Sequence, residues 1–373
     1  MSKGVTGTYP TRILALTTNP ADGASTRFRV LQWQPYLEEA GFSLQVEPFY
    51  PRAASRVLYR EGKLTVKLAH FVAAAIRRLR ILKSLSRSAD LLLIHREAFP
   101  FGWRVLFSRL LSFDGPVIYD YDDAMFLPQR LERRILARLE RVDTPATVMA
   151  RSDLVLAGNS FLADYARKHS SQVITLPTCI DTSKFRPRVR SRPSKSCVIG
   201  WIGSHTTAKY LRRCLPMLQQ VAAEHQFELY VVGSPERLSS DSVKIKQENW
   251  SLEREVEDFQ GCDIGIYPLS DDEWSLGKCG FKAIQFMACG VPVVAAAVGV
   301  NRDILNDGVN GFLASTEDEW KQKLGYLIAD PALRKRLGEA GRQTVEQRYS
   351  LTANAPRLIA ALNEVRDRVR GKS

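Results

Sequence analysis

The sequence predicts an α/β chain built from two doubly wound parallel sheets. Three observations carry this reading. At 373 residues the chain is too long for one ordinary hydrophobic core and fits two domains. Short apolar runs alternate with longer stretches of helical periodicity, the pattern of a parallel sheet covered on both faces. The alternation stops once, at "KFRPRVRSRPSKS" (184 to 196), and then restarts.

In the first half the predicted strands are "RILALTT" (12 to 18), "SLQVEPF" (43 to 49), "DLLLIHR" (90 to 96), "PVIYDYD" (116 to 122), "DLVLAG" (153 to 158) and "QVITLP" (172 to 177). Helices are expected between them over 26 to 40 and 130 to 150. Between 52 and 87, Leu64, Leu68, Phe71, Ala75, Leu79 and Leu82 step by three and four, which places them on one face of a helix. The interruption at 184 to 196 combines proline with a run of basic residues and no apolar period, so it reads as an exposed linker.

The second half repeats the architecture without repeating the residues. "CVIGWIG" (197 to 203), "FELYVVG" (227 to 233), "VKIKQ" (243 to 247), "CDIGIYP" (262 to 268) and "PVVAAA" (292 to 297) are its strands. Two helices close the chain, over 331 to 348 and 352 to 370. The expected division is a tail at 1 to 11, a first domain at 12 to 183 rejoined by 352 to 373, the linker, and a second domain at 197 to 351. Open parallel sheets bind ligands beyond the carboxyl ends of their strands, so the expected site is a cleft between facing domains.

Composition removes several functions. An apolar share of 45% with 25% charged residues belongs to a folded globular chain. No run approaches the ~18 to 20 apolar residues of a membrane span, and the first ten residues lack the apolar core of a secretion signal. The expected location is cytoplasmic. The six cysteines lack C-x-x-C spacing, so neither a zinc site nor a disulfide framework is expected.

The net charge of +13 is unevenly spread, with ten Lys or Arg against the single acid Glu61 between residues 52 and 87. A basic amphipathic helix suits an anionic membrane surface, and Arg77, Arg78, Lys83 and Arg87 are the expected contacts. An ordinary surface helix packing its leucines on its own domain is the alternative. Nucleic acid is not an expected partner, because the basic stretch lacks interleaved aromatics and any groove-reading motif.

The ligand is legible by exclusion and by charge. No G-x-G-x-x-G follows the first strand and no P-loop occurs, which demotes hydride transfer and ATP hydrolysis. Two stretches instead place glycines before a helix N-terminus, where free N–H groups and the helix dipole favour anions. At "GWIGSHTTAKYL" (200 to 211), Gly203, Ser204 and His205 follow the strand and Lys209 lies in the first helical turn. At "GKCGFKAIQFMACG" (277 to 290), Lys278 and Lys282 are four apart and are expected on one face. Cations there suit a diphosphate.

The segment "FKAIQFMACGVPVVAAAVGVNRDILNDGVNGFLA" (281 to 314) resembles the donor-binding region of glycosyltransferase family 4, of GT-B fold. "LPTCID" (176 to 181), "RFRVLQWQPYLEEAG" (27 to 41), "HREAFP" (95 to 100) and "YDYDDAMF" (119 to 126) resemble the acceptor domain of its bacterial polysaccharide members. The resemblance runs from about residue 12 to 365. It implies two Rossmann-like domains, a closing helix that returns to the first domain, and a hairpin at the "G-x-x-G-F-L" text.

It also implies a retaining transfer from a nucleotide-diphospho-sugar, with no cofactor and no essential metal, to a glycan or lipid-linked acceptor in exopolysaccharide or lipopolysaccharide synthesis. The protein would then sit at the inner face of the cytoplasmic membrane. Donor contacts would come from Gly203, Ser204, His205, Lys209, Lys278, Lys282 and Gln285, and acceptor contacts from Gly23, Arg27, His95 and Asp122. Lys209 and Lys282 would stabilise the leaving diphosphate, and Asp122 would orient or deprotonate the acceptor hydroxyl.

The sequence departs from the family pattern where it matters most. The family's paired glutamates fall on Gly277 and Gln285, its donor-domain arginine on Ser204, and its acceptor-domain histidine on Asp122. Gln285 keeps hydrogen-bonding capacity without charge, and Asp272 or Glu273 is the nearest carboxylate to replace the first glutamate. A binding or regulatory protein that keeps the shell without turnover is the competing class. A sugar-nucleotide epimerase on the same fold finds no support in the first domain.

Overall fold

The computed structural model describes residues 9–52, 54, 62–99, 110, 113–127, 144–188 and 196–370. Two compact units emerge, one of residues 1–178 and 355–373, the other of 179–354. The change of unit therefore falls at 178/179, not after residue 183. Arg342 explains the shift, because its guanidinium donates to the Thr182 carbonyl at 2.8 Å, to that of Ala288 at 2.5 Å and to that of Phe185. Phe185 itself is buried against Phe259, so the expected linker begins inside the second unit. Residues 189–195 of that linker, and 1–8 of the expected tail, lie outside the described residues.

The first unit holds strands β1 (Thr11–Thr17), β2 (Phe42–Pro48), β3 (Leu91–His95), β4 (Val117–Tyr121), β5 (Leu154–Ala157) and β6 (Val173–Thr175). They form one sheet in the order β2-β1-β3-β4-β5-β6, and every pair is parallel. Because β1 runs outward to β2 and the chain then returns to β3 on the other side, the winding reverses between β1 and β3. Thr11, read as tail, is already paired with Phe42. The helix expected over 26 to 40 is two helices, Ala24–Arg29 and Gln34–Glu39, separated by a 3₁₀ turn at Leu31–Trp33. That turn lets Trp33 and Leu37 enter the core. Of the helix expected over 130 to 150, only Thr144–Ala150 is described.

The helix Leu64–Lys83 is present, but its buried face differs from the predicted one. Arg78 is 1% exposed, whereas Leu64 is 76% and Leu68 61% exposed. Arg78 is drawn inward by carbonyls at two strand ends, donating to Thr17, which also accepts from the Phe49 N–H, at 3.0 Å and to Glu47 at 2.9 Å. Burial, with Arg77 adding to it, pulls its guanidinium down to about 9. Arg77 likewise caps the Pro48 and Phe49 carbonyls. Two of the four cations assigned to a membrane therefore hold the fold together, while Lys83 and Arg87 are exposed.

In the second unit β7 (Cys197–Ile202), β8 (Phe227–Val232), β9 (Lys244–Glu248), β10 (Ile264–Tyr267), β11 (Val293–Ala296) and β12 (Phe312–Ala314) pair in the order β12-β11-β10-β7-β8-β9. All pairs are again parallel, and the winding reverses between β7 and β10. The sequence offered only five of these strands. β12 was expected as part of a hairpin, but a turn over 306–311 returns the chain so that Phe312–Ala314 runs parallel to β11. Its three residues are too few to show a period.

The core of this unit joins Ile199, Trp201, Leu229, Val231, Ile264 and Val294 of the sheet to Leu211, Leu218 and Val221 of the helix Ala208–Glu224. Capping fixes the later helices. Thr316 and Glu319 form a reciprocal capping box at Glu317–Ala329, and Asp330 caps Pro331–Arg348, which opens with proline. The closing helix Leu351–Arg370 begins in the second unit, and its part from Ala355 onward belongs to the first, where Leu358 and Leu362 line a small cavity with Ile13, Trp33 and Leu93. No helix among the described residues is long and apolar enough to cross a membrane. All six cysteines are free.

Candidate functional site

Each sheet reverses its winding once, and a crevice opens at such a point because the flanking strands send their connections to opposite faces. In the second unit the two segments leaving that point are residues 203–209 after β7 and 268–282 after β10. The helix Ala208–Glu224, which the first of them enters, is tied to the second, since Arg213 donates to Ser270 at 2.7 Å and Tyr210 Oη meets Ser275 Oγ at 3.4 Å. The topology thus brings together the two stretches that the sequence singled out separately.

The segment after β7 is shaped by Gly203. A Cβ there would lie 2.3 Å from the Trp201 ring and 2.7 Å from Thr207 Oγ1. Thr207 stands at the N-cap but accepts from the Ser204 N–H at 3.0 Å instead of capping the helix. Ser204, His205 and Lys209 are exposed, and Lys209 rests over the Tyr210 ring at 4.8 Å.

The segment after β10 contains a short helix, Glu273–Leu276, capped by Asp272, whose carboxylate accepts from Ser275 N–H at 2.8 Å. Asp272 is therefore occupied as a cap, and Glu273 is exposed in the first turn. Gly277 ends that helix, and Gly280 begins Phe281–Ala288 in the left-handed region at φ 63°. Glycine is favoured at 280 by this left-handed backbone, and a Cβ there would also stand 2.2 Å from Ile304 Cδ1. This kink separates the two lysines that were expected on one helical face. Lys278 lies before the helix, over Trp274 at 4.8 Å, and Lys282 lies in its first turn, over Phe259 at 5.2 Å. No side chain caps this helix start, and Lys278 and Lys282 flank it in the sequence.

Gln285 is fully buried and accepts from Lys282 Nζ at 2.8 Å, while its own Nε2 has no partner. A buried donor left open is costly, which marks this amide as more than packing. The sequence missed Asn301, which is also fully buried. It donates from Nδ2 to the Ala296 carbonyl at 2.9 Å and leaves Oδ1 unpartnered. Its place beside the Gly280 turn depends on the fold of "VGVNRDI", which has no periodic signal.

In the first unit the charges near the carboxyl ends of β3 and β4 are paired internally. Arg29 and Asp120 form a buried ion pair, with Arg29 also donating to the Leu176 carbonyl at 2.8 Å. His95 Nδ1 meets the other Asp120 oxygen at 2.7 Å, and His95 Nε2 has no partner. Burial works to raise the Asp120 carboxyl, but Arg29 and His95 outweigh it and hold it below its ordinary value. Arg96, in the left-handed region at φ 60°, donates to Asp122 at 2.6 Å and Asp123 at 2.9 Å. Burial again opposes, but chiefly Arg96 holds Asp122 far below the carboxylate range. An ion-paired carboxylate of this kind is a weaker proton acceptor than a free one.

Gly23 caps the helix Ala24–Arg29 and sits 2.9 Å from Asn19 Cβ, counted from a built Cβ, while Arg27 lies over Phe28 at 4.5 Å. The sequence reading missed Arg29 and Arg96, the partners of the strand-end aspartates Asp120, Asp122 and Asp123. Asp120 near the end of β4 and Asp122 just beyond it are two residues apart, which was the available signal.

Two reversed-winding parallel sheets in separate units define the class: the chain has the GT-B fold. It resembles glycosyltransferase family 4, and the family described as Glycosyl transferases group 1 matches residues 196–330. D-inositol 3-phosphate glycosyltransferase of Stackebrandtia nassauensis is 27% identical over 258 residues, covering 60% of this chain and 57% of the relative. That of Xylanimonas cellulosilytica is 44% identical over 93 residues, 24% of this chain and 21% of the relative. The chain thus spans little more than half the length of the first of these curated relatives.

Among solved structures, Anabaena Alr3699/HepE in complex with UDP-glucose superposes with a TM-score of 0.68 at 17% identity, covering 95% of this chain and 99% of that one. Sucrose-phosphate synthase from Thermosynechococcus elongatus gives 0.66 at 16% identity, covering 98% and 100%. These likenesses concern the fold.

Proposed function

We propose that the protein is a retaining glycosyltransferase that takes a nucleotide-diphospho-sugar and passes the sugar to a lipid-linked or glycan acceptor in bacterial polysaccharide synthesis. One observation carries the reading: an uncapped helix start at the winding reversal of the second unit, with Lys278 and Lys282 beside it. Departure of the sugar puts negative charge on the diphosphate while the ring becomes cationic. Fixed cations and N–H groups stabilise that charge more in the transition state than in the bound donor, which lowers the barrier.

Lys282 and Lys278 hold the diphosphate in this scheme, and Lys209 adds a third, exposed cation. The open Nε2 of Gln285 donates to an acceptor atom of the nucleoside, where the family pattern has a carboxylate. Because Asp122 is held ionised, the departing phosphate oxygen, which gains charge as the bond breaks, is the more basic group to receive the acceptor's proton. The reading requires no cofactor and assigns the phosphate charge to protein cations. Gly23, Arg27 and His95 contribute to acceptor recognition, and the enzyme works as a peripheral protein at the inner face of the cytoplasmic membrane.

A second reading, a GT-B shell that binds without turnover, is favoured by Gly277 and by Asp272 being committed as a cap. Incubation with radiolabelled nucleotide sugars and bacterial membranes separates the two. Transfer of label to lipid is the expected result. Calorimetry showing nucleoside diphosphate binding without any transfer favours the shell, and absence of binding at millimolar concentration overturns the donor site itself.

A further inference from the structure

The second unit holds a cavity of about 440 Å³ that none of the proposed donor residues lines. Sites for small ligands span roughly 300 to 1,000 Å³. One wall is the face of the helix Pro331–Arg348 that carries Ala340, Gln343, Thr344, Gln347 and Arg348, spaced at i, i+3, i+4, i+7 and i+8. The other is the chain from Arg302 to Asn310, on its way from β11 to β12.

Both walls are pinned at their base. Asn310, buried there, donates from Nδ2 to Thr344 Oγ1 at 3.0 Å and to the Ile304 carbonyl at 3.1 Å, while its Oδ1 accepts from the Asn306 N–H at 2.7 Å. Gly341 lets the helix close on the turn, since a Cβ there would stand 3.1 Å from the Asn310 carbonyl oxygen. The polar groups above this base are left unused. Among the described residues the side chains of Arg302, Asp303, Gln343 and Gln347 form no hydrogen bond or ion pair, and the Arg348 guanidinium rests over the Tyr349 ring at 5.4 Å. Arg334 and Arg342 of the same helix instead spend their guanidiniums on backbone carbonyls. A helix face held against a turn is ordinarily apolar, or its polar groups bond across the contact. This face does neither.

The lining selects the ligand. Amides both donate and accept, as the hydroxyls of a sugar require. Two guanidiniums against the one carboxylate of Asp303 leave a positive excess, and a guanidinium grips a carboxylate through two parallel hydrogen bonds. Asp303 in turn repels a dense anion such as a diphosphate. We propose that this groove binds an acidic oligosaccharide, with its carboxylates on Arg302 and Arg348 and its ring hydroxyls on Gln343 and Gln347. The site is separate from the one assigned to the donor, does not rest on glycosyl transfer, and is assayed without a sugar nucleotide.

The test is calorimetry of the full chain with hexagalacturonate and, as its neutral counterpart, maltohexaose. Hexagalacturonate is expected to bind with a submillimolar dissociation constant, and maltohexaose about tenfold more weakly. Gln343→Ala with Gln347→Ala alters two exposed, neutral positions, keeps the melting temperature, and weakens both sugars about tenfold, as the loss of two neutral hydrogen bonds does. Attraction of an acidic chain to the net charge of +13 would not register these neutral substitutions. Arg302→Gln with Arg348→Gln abolishes the preference for hexagalacturonate. Lys278→Ala with Lys282→Ala leaves hexagalacturonate affinity unchanged. No binding of hexagalacturonate by the parent at millimolar concentration overturns the proposal, as does an affinity that the glutamine variant retains. A loss in the lysine variant as large as in the glutamine variant also overturns it, because the acidic chain then occupies the donor site.

Discussion

The two winding reversals of this molecule place charge in opposite ways. At the first, cations and carboxylates neutralise each other inside the unit: Arg29 with Asp120 and His95, Arg96 with Asp122 and Asp123. At the second, Lys209, Lys278 and Lys282 rest on the faces of Tyr210, Trp274 and Phe259, and Lys282 adds a neutral amide. Aromatic faces hold a cation weakly. The same position in two like sheets is therefore structural in one unit and suited to an anion in the other.

The largest effect expected from this contrast is on stability, in the first unit. Arg29→Met leaves Asp120 buried without its main counter-charge, which costs about 3 to 5 kcal/mol. Denaturant unfolding near neutral pH measures it, and a loss under about 1 kcal/mol shows that the pair is not structural. The sign with pH is set by Asp120. Its folded value is depressed, so its contribution is complete above the ordinary carboxylate value of about 3.9 and is lost as pH falls through the folded value. Asp122 adds in the same direction. Stability of the parent should fall as acid is added below about pH 4, and Arg29→Met should flatten that fall.

The second effect lies in the second unit and should spare stability. If the proposed donor site holds, Lys278→Ala or Lys282→Ala should each weaken nucleoside diphosphate binding by about 1.5 to 3 kcal/mol, as for loss of one charge-assisted hydrogen bond. Calorimetry reads the affinity and a melting scan the fold. If melting drops while affinity holds, these lysines are structural like the arginines of the first unit, and the contrast is broken.

Gln285 sharpens the comparison because it is buried as deeply as Asp120 yet carries no charge. Gln285→Ala should weaken nucleoside diphosphate binding by about 1 kcal/mol, as for one neutral hydrogen bond. Gln285→Glu restores the charge of the family pattern beside Lys282 but removes the Nε2 donor, so it should bind less well than the parent. Binding by Gln285→Glu equal to the parent's or tighter would show that an acceptor at this position, not the Nε2 donor, serves the nucleoside.

What the sequence disclosed follows from how each signal arises. Strands buried on both faces announce themselves as apolar runs, so β3, β4 and β11 were plain. β12 was not, because three residues give no period. The deeper miss concerns the helix Leu64–Lys83. Periodicity assumed that leucines go inward and arginines outward, but carbonyls of Thr17 and Glu47 at strand ends, distant in sequence, recruit Arg78. Tertiary hydrogen bonding overrode hydropathy there. The donor stretches were legible because glycine, lysine and helix start are local. Their meeting was not, since it depends on the order in which β7 and β10 join the sheet. Asp122 shows the converse: its strand-end place was readable, its capture by Arg96 was not.

The smallest effect expected is that of Lys209, and it tests whether exposure grades the three cations of the second unit. Lys209 is exposed, whereas Lys278 and Lys282 are partly covered. A charge in water is screened within about 8 Å at physiological salt, and a partly buried one much less. Lys209→Gln should therefore weaken nucleoside diphosphate binding by only about 0.5 to 1 kcal/mol at low salt, as exposed charge pairs do. In molar salt, where the screening length falls to about 3 Å, that difference should vanish, while the deficit of Lys282→Ala persists. Titrations of parent and both variants across a salt series decide this. A Lys209→Gln deficit that survives high salt would mean that the bound nucleotide covers Lys209. The three lysines would then close on the diphosphate as one desolvated cluster, which is the arrangement the first unit reserves for its own arginines.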